Sequence, residues 1–508
     1  MTFREFNLTG LKIFFMKDSK LLNLLKTFTP YEFREFELFI ESPYFNRVRD
    51  LSAFFKCLKK YYPGFENENF TEEILYEKLF LGKVYDKIKS KAIIHTLSSE
   101  MFKLCKGFLI QTGLNEDTPK REYYLLNKLR EKKSYSEFEK IFKNSTANAE
   151  LQIKGGVLDF INQFYSAQNY MAYCIEEGDI RGAVESILSQ GEFFAVAALI
   201  MGYRNQELSI AARTYNIELR YNLIDNLIAH LDSCGVLEVM KENNDKLYPY
   251  VAVNYAAYQM MKYTENDKYY FEFKKLVEEY YSLFGQNEGF YLYAMLVSYC
   301  SLKCLNDETG IFGREQFEIH KRSVELGLYR NSENDVIDIV KFRNIIAAAF
   351  SVSETEWLET FVNDFINELK PEYRENMRYY SSAYIHFGRK EYGKSLENLT
   401  MVHNDFFYFK MDVKKLLLFI YYELGYFEQA DFHIKSIKEY IANTKDLSDS
   451  LKEHERNLIK AVSKLLKIKE SGDKKDISLL ESEIKKDVRL KNATWLLEKV
   501  SELKQLQK

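Results

Sequence analysis

Proline is nearly absent, at 6 of 508 residues, and glycine is held to 21. A β-rich chain of this length turns often and draws on both, so breakers this scarce favour long helices. Cysteine occurs six times (Cys57, Cys105, Cys174, Cys234, Cys300, Cys304), dispersed and mostly flanked by apolar residues. That pattern offers no disulfide frame and points to free thiols in a reducing compartment, the cytoplasm. No stretch approaches 18 apolar residues, so no membrane span is expected. Neither sign of charge dominates: 71 Lys and Arg against 75 Asp and Glu leave −4, which gives no general argument for nucleic acid or an anionic membrane as partner. A signal peptide is also lacking. Arg4 and Glu5 come early, the apolar piece Leu11–Phe15 is short, and no small-residue cleavage site follows. Met16-Lys17-Asp18-Ser19 is a more ordinary opening, so residues 1–15 are expected to be a displaced start or disordered.

What the chain has in quantity is aromatic surface. Phe (39) and Tyr (38) supply nearly all of it, against two Trp; such side chains fill broad seams between helices, and Tyr keeps its hydroxyl at a wet edge. With 46 % hydrophobic and 29 % charged residues the composition is globular. At this length one core is not enough, and the chain must split into domains or grow as repeats.

Residues 16–113 read as a compact helical unit. Thr29-Pro30-Tyr31-Glu32 is a helix start with Thr as N-cap, Pro in the first turn and Glu closing a capping box. Phe33, Phe36 and Ile40 follow on one face; Leu51, Phe54, Phe55 and Leu58 form the next stripe. Thr71 caps a helix with Ile74, Leu75 and Leu79, and Asp86 caps one carrying Ile93, Leu97, Met101, Leu104 and Phe108. Gly113 is expected to stop that helix, and 114–120 to be a linker. From 121 to 508 helix follows helix, the last ones (448–508) carrying Leu458, Val462, Leu465 and Leu466, then Ile477, Leu480 and Ile484, then Trp495 and Leu496.

The clearest internal repeat lies at 340–440. Trp357, Tyr392 and Phe427 are spaced by 35 and 35, and three residues after each stands a smaller side chain, Thr360, Ser395 and Ala430. A small residue lets two helices approach, an aromatic wedges between neighbours, and a period near 35 marks helix–turn–helix repeats. Phe387-Gly388-Arg389-Lys390-Glu391-Tyr392 and Leu424-Gly425-Tyr426-Phe427-Glu428-Gln429-Ala430 resemble the turn of tetratricopeptide repeats. The second fills that family's Gly, aromatic and Ala slots with Gly425, Phe427 and Ala430; the first has Ser395 in the Ala slot. The resemblance implies an α-solenoid with a groove that binds partner proteins. The whole chain, with Ser42-Pro43-Tyr44-Phe45-Asn46, Phe342-Arg343-Asn344 and Arg374-Glu375-Asn376, also resembles a family of uncharacterised bacterial helical proteins, which implies no activity.

Three patterns could carry chemistry. Gly388-Arg389-Lys390-Glu391-Tyr392-Gly393-Lys394-Ser395 matches the P-loop pattern letter for letter, with Lys394 and Ser395 in the phosphate and Mg²⁺ positions. The repeat register explains the same residues as a turn, and no alternation of strands and helices surrounds them. Cys300 and Cys304, four apart on a helix, with His320 beyond, could begin a zinc site, but a fourth ligand is missing and the neighbours Tyr299 and Leu302 suit a core. Lys83, Lys87, Lys89 and Lys91 form the best basic patch, which a solvated helix face also explains.

The sequence therefore predicts an all-α protein: an N-terminal helical unit, then an α-solenoid of degenerate tetratricopeptide-like pairs. No enzyme, cofactor or metal is expected. The expected role is a protein–protein interaction scaffold that binds a peptide or partner helix through Asn344, Tyr379, Lys414 and their neighbours. An ATP-binding protein using Gly388–Ser395 and a nucleic-acid-associated regulator stand as alternatives.

Overall fold

The computed structural model describes residues 19–47, 49–147, 153–214, 220–304, 310–330, 335–403, 407–444, 449–473, 475–486 and 493–505. Residues 1–15 lie outside them. Among the described residues every α-helix or 3₁₀ turn is the only kind of regular element, with no strand. The chain forms two compact units, Met1–Phe142 and Lys143–Lys508.

The first unit holds α1 (Lys20–Leu25), α2 (Pro30–Glu41), α3 (Ser52–Lys59), α4 (Glu72–Leu79), α5 (Lys89–Glu116) and α6 (Thr118–Glu131); α7 (Tyr135–Ala147) runs across the division. The capping box at Thr29 is formed: the Glu32 backbone N–H donates to Thr29 Oγ1 at 3.2 Å, and the Thr29 N–H donates to Glu32 Oε2 at 2.7 Å. Thr71 caps α4 through the Ile74 N–H, and Asp86 accepts from the Ile88 and Lys89 N–H groups at the entry to α5. Phe36 sits at the centre of the core, edge-on to Phe55 and tilted on Phe108. Burying each such ring contributes about 1.5–3 kcal/mol.

Two expectations need correction here. The buried stripe of α5 is Ile94, Leu97, Met101, Cys105 and Phe108, so two of its members sit one residue beyond the expected Ile93 and Leu104. Gly113 does not end this helix. The Asp117 N–H still donates to the Gly113 carbonyl at 3.1 Å, and Asp117 then caps α6 through the Lys120 N–H. The expected linker over 114–120 shrinks to that one residue.

The second unit continues with α8 (Val157–Glu177), α9 (Ile180–Thr214), α10 (Leu223–His230), α11 (Ser233–Glu242), α12 (Tyr248–Lys262), α13 (Lys268–Tyr280), α14 (Gln286–Lys303) and α15 (Ile311–Glu325). Then come α16 (Ile339–Ser351), α17 (Thr355–Phe365), α18 (Pro371–Gly388), α19 (Tyr392–Thr400), α20 (Phe407–Leu424), α21 (Phe427–Asn443), α22 (Asp449–Ser471), α23 (Ile477–Lys486) and α24 (Ala493–Gln505). Helices pack mainly on their neighbours in sequence. One apolar cluster runs from Ile153 to Leu328 and another from Phe317 to Leu503.

Five helix pairs share one tight turn. At Lys133, Gly178, Ser353, Lys390 and Gly425 the backbone is left-handed, with φ between 58° and 76°. The next residue in each case returns its N–H to the carbonyl five residues back: Ser134 to Leu129, Asp179 to Cys174, Glu354 to Ala349, Glu391 to His386 and Tyr426 to Tyr421, at 2.8–3.0 Å. This closes the exposed carbonyls of the first helix, as at a Schellman end. The carbonyl of that same residue then accepts the first bond of the second helix, from Phe138, Ala183, Leu358, Ser395 and Ala430 respectively. All five of those side chains are buried. In the 340–440 stretch the turns are therefore 37 and 35 residues apart. Trp357 lies two residues farther along its helix than Tyr392 or Phe427 lie along theirs, Leu358 takes the close-contact slot, and Thr360 is exposed.

The segment Ile180–Asn205 of α9 is, among the described residues, long and apolar enough by length and composition to cross a membrane, with only 22 % of its most apolar window buried. This corrects the expectation that no such stretch exists: polar Ser and Gln interrupt the run, yet Ser186–Tyr203 carries a single charge, Glu192. One side of α9 packs on α8 and α12.

Candidate functional site

The first helices of the last three hairpins, α16, α18 and α20, carry the residues the sequence singled out. Asn344 is half-buried on α16 and accepts from Arg343 Nη1 at 2.8 Å. Tyr379 is half-buried at the edge of the C-terminal core. Lys414 turns to its own hairpin partner: its ammonium donates to Ser436 Oγ at 3.0 Å and lies over the Tyr440 ring, and burial pulls its pKa down. The partners of Asn344 and Lys414 are not one another, nor Tyr379. It joins instead the residues beside them in sequence.

Arg343, Tyr380 and Lys415 all converge on Asp412. Arg343 Nε and Nη2 grip the Asp412 carboxylate from two sides at 2.5 and 2.7 Å, and the Tyr380 hydroxyl donates to it at 3.0 Å. Lys415 reaches Asp412 at 3.8 Å and Glu455 on α22 at 3.1 Å. The row ties α16, α18, α20 and α22 together. Burial alone would push the Asp412 carboxyl up, but Arg343 and Lys415 hold it below the usual carboxylate range. Two cations and two carboxylates thus compensate one another in a dry place, where an unmatched member would be costly. The sequence reading missed this row; its one visible signal is the recurrence of charged residues inside otherwise apolar first helices.

The P-loop letters have a different use. Gly388 ends α18, Lys390 is the left-handed residue of the turn, and Tyr392 opens α19. No strand precedes the loop. Arg389 pairs with Glu359 at 2.5 Å, Lys390 with Glu498 at 3.3 Å and Lys394 with Glu391 at 3.1 Å. Ser395 is fully buried, and its hydroxyl donates to the Ala383 carbonyl at 2.7 Å. A phosphate loop needs free backbone N–H groups wrapped round an anion and a hydroxyl open to Mg²⁺; here the hydroxyl closes a helix contact.

Cys300 is buried and bonds Tyr270 at 3.3 Å; Tyr270 donates to Glu315, which also holds Lys274. Burial pushes the Cys300 thiol up to about 12, opposite to what a metal ligand requires. His320 lies apart from this chain of bonds. Both its ring nitrogens are buried without a hydrogen-bond partner, and burial pulls its pKa down to about 3. Lys341 from α16 adds to that shift; its own pKa is pulled down to about 8 by burial, its ammonium donates to the Leu328 carbonyl, and it sits 3.9 Å from the centre of the Phe290 ring. Among the described residues no group of three His, Cys, Asp or Glu side chains is arranged to hold a metal.

In the first unit Lys83, Lys87 and Lys89 are exposed, while Lys91 lies 3.7 Å from Glu72. Beside them Leu81, Val84 and Ile88 are also almost wholly exposed, so this stretch mixes aliphatic and cationic chemistry rather than forming a purely cationic track.

A shallow recess in the second unit was not foreseen. Tyr203, Arg204, Asn254, Tyr258, Tyr291 and Met295 line it. Arg204 bridges Asn254 at 2.8 Å and Glu288 at 2.6 Å while lying over the Tyr291 ring. Arg204, Asn254 and Glu288 thus satisfy one another, while the Tyr203 hydroxyl is buried without a hydrogen-bond partner. The turn Gly178-Asp179-Ile180-Arg181-Gly182-Ala183 was also missed, although its Gly and Ala occupy the same slots as Gly425 and Ala430. The signal was legible, but it stands alone in sequence, far from the 340–440 period.

No family model matches the chain, and no curated protein or solved structure matches it.

Proposed function

We propose that the chain is an adaptor: a solenoid of tetratricopeptide-like pairs that binds a peptide or a partner helix along α16, α18 and α20. The observation that carries this reading is the shared turn. It sets the last three hairpins in the same local geometry, one after another, and repeated hairpins of this kind offer extended surfaces for partners. The buried row through Asp412 supports it as well, because it fixes the first helices against one another and leaves Asn344 and Tyr379 half-exposed beside it. In this reading the recognition surface is rigid before the partner arrives, so little ordering entropy opposes binding. The protein acts in the cytoplasm and carries out no chemistry of its own.

Site-specific photo-crosslinking in the native cell tests this. A photoreactive residue at Asn344 or Tyr379 should link one protein in common, and the same group at exposed positions on the second helices, Glu397 and Lys438, should not. Equal labelling from both sets, or none from either, rejects the groove as the binding surface.

A further inference from the structure

The longest second helix among the described residues carries an apolar face that stands exposed. Ala183, Ser186, Val196, Ala197, Ile200 and Tyr203 of α9 are buried. On its other side Ile180, Val184, Ile187, Leu188, Phe194 and Met201 are between 47 % and 79 % exposed. Arg181, Glu185 and Glu192 all fall on one flank. A helix apolar round most of its circumference is ordinarily buried on all sides, whereas this one is buried on one.

The exposed face has a period. Ile180, Val184, Ile187, Gly191, Phe194, Ala198 and Met201 follow at steps of 4, 3, 4, 3, 4 and 3. That alternation is the seam of a coiled coil, which a second helix fills by placing knobs in holes. The seam also fits its own reverse. In an antiparallel pair with its two-fold axis between Glu192 and Phe193, Phe194 of one copy stands over Gly191 of the other. Ile187 then stands over Ala198, and Val184 meets Met201. Large residues face small ones in the two inner layers, and Leu188 and Ala195 meet on the flank with no charge between them. A β-carbon placed on Gly191 would find open space, so the glycine leaves a hole at the surface that the facing Phe194 fills. A parallel pair instead sets Phe194 on Phe194 and Gly191 on Gly191, crowding one layer and emptying the next.

We propose that α9 is a homodimerisation helix, pairing antiparallel with the α9 of a second copy along the seam from Val184 to Met201. Five large side chains from each copy, Val184, Ile187, Leu188, Phe194 and Met201, bring on the order of 1,000 Å² to the interface, about the size that a specific contact must clear. This interface uses a different face and different helices from the adaptor surface, and neither depends on the other.

Sedimentation of the full-length protein across a dilution series is the test, with two variants. The natural chain should run as a dimer that dissociates on dilution. Ile187→Lys should run as a monomer at every concentration with an unchanged helical circular dichroism spectrum, because Ile187 points outward. In a Cys234→Ser background, which removes an exposed thiol, the double variant Val184→Cys/Met201→Cys should form a covalent dimer under mild oxidation, and neither single variant should. A natural chain that is monomeric throughout overturns the proposal. So does a dimer that survives Ile187→Lys, or a Val184→Cys single variant that links to itself.

Discussion

The hairpins α8–α9 and α20–α21 begin alike and end differently. Each turns on a left-handed glycine, Gly178 or Gly425, and each seats an alanine, Ala183 or Ala430, against the first helix. Beyond that turn α21 runs for 17 residues and faces water mainly with charged side chains, Glu428, Asp431, Lys435, Lys438 and Glu439, beside one exposed ring, Phe432, whereas α9 runs for 35 and faces water with a stripe of apolar side chains flanked by charge. The turn fixes how closely two helices start. The length and outer chemistry of the second helix decide whether the pair is complete on its own. The interiors differ in the same sense. The C-terminal hairpins bury charges that answer one another, while the region before them buries His320 with neither ring nitrogen partnered.

The contrast breaks hardest at Asp412. Asp412→Ala leaves Arg343 and Lys415 facing each other without their shared carboxylate and should cost about 3–5 kcal/mol. Native-state hydrogen exchange should then show protection lost across α16, α18, α20 and α22 and kept in α12 and α14; a uniform loss would mean that the two clusters unfold as one. Next in size, Ala430→Leu and Ala183→Leu should each cost about 1–3 kcal/mol by overpacking the turn contact, while Thr360→Leu should stay within about 0.5 kcal/mol because Thr360 is exposed. Chemical denaturation of the three variants separates the 37-residue register from the 35-residue one.

Acid should distinguish the interiors. His320 has its folded pKa near 3, below the unfolded value of about 6.5, so the unfolded chain binds the extra proton between those limits. The stability His320 contributes is whole above pH 6.5 and is lost as pH falls toward 3. Between pH 7 and 5 that loss is about 2 kcal/mol, and His320→Leu should remove that part of the pH dependence in thermal melts. Asp412, held below the usual carboxylate range, keeps its charge across the same interval. The smallest effect lies in the turns. Lys390→Gly should raise stability by about 0.5–1 kcal/mol by relieving a left-handed lysine, and Gly178→Ala should lower it by about 1 kcal/mol; paired urea titrations would resolve both.

Much of the helical content could be read directly. The Thr29 box, the Thr71 and Asp86 caps and the stripes around Phe36, Phe55 and Leu465 rest on local rules that tertiary structure left alone. The spacing of the last three shared turns was legible as a period but misplaced at its first member, because Ser353 and Lys390 make the left-handed turn without glycine and Glu354 opens a helix without a side-chain cap. Trp357, the most visible letter, then drew the alignment two residues off. Gly113 misled in the opposite way: a glycine inside a helix costs about 1 kcal/mol but does not end it when the backbone keeps its αR geometry. The candidate contacts Asn344, Tyr379 and Lys414 stand on α16, α18 and α20, and the polar row beside them runs through Arg343, Tyr380 and Lys415, each one residue from the position named. Helical spacing gives a face to within a residue or so; which side chain turns inward depends on the neighbour it meets.

The left-handed position of the shared turn is held by lysine twice, serine once and glycine twice. Each non-glycine there costs about 1–2 kcal/mol, no more than an ordinary core substitution. Such a chain can exchange its most recognisable letter and keep its hairpins, provided that the position five residues on stays buried, as Phe138, Ala183, Leu358, Ser395 and Ala430 all are.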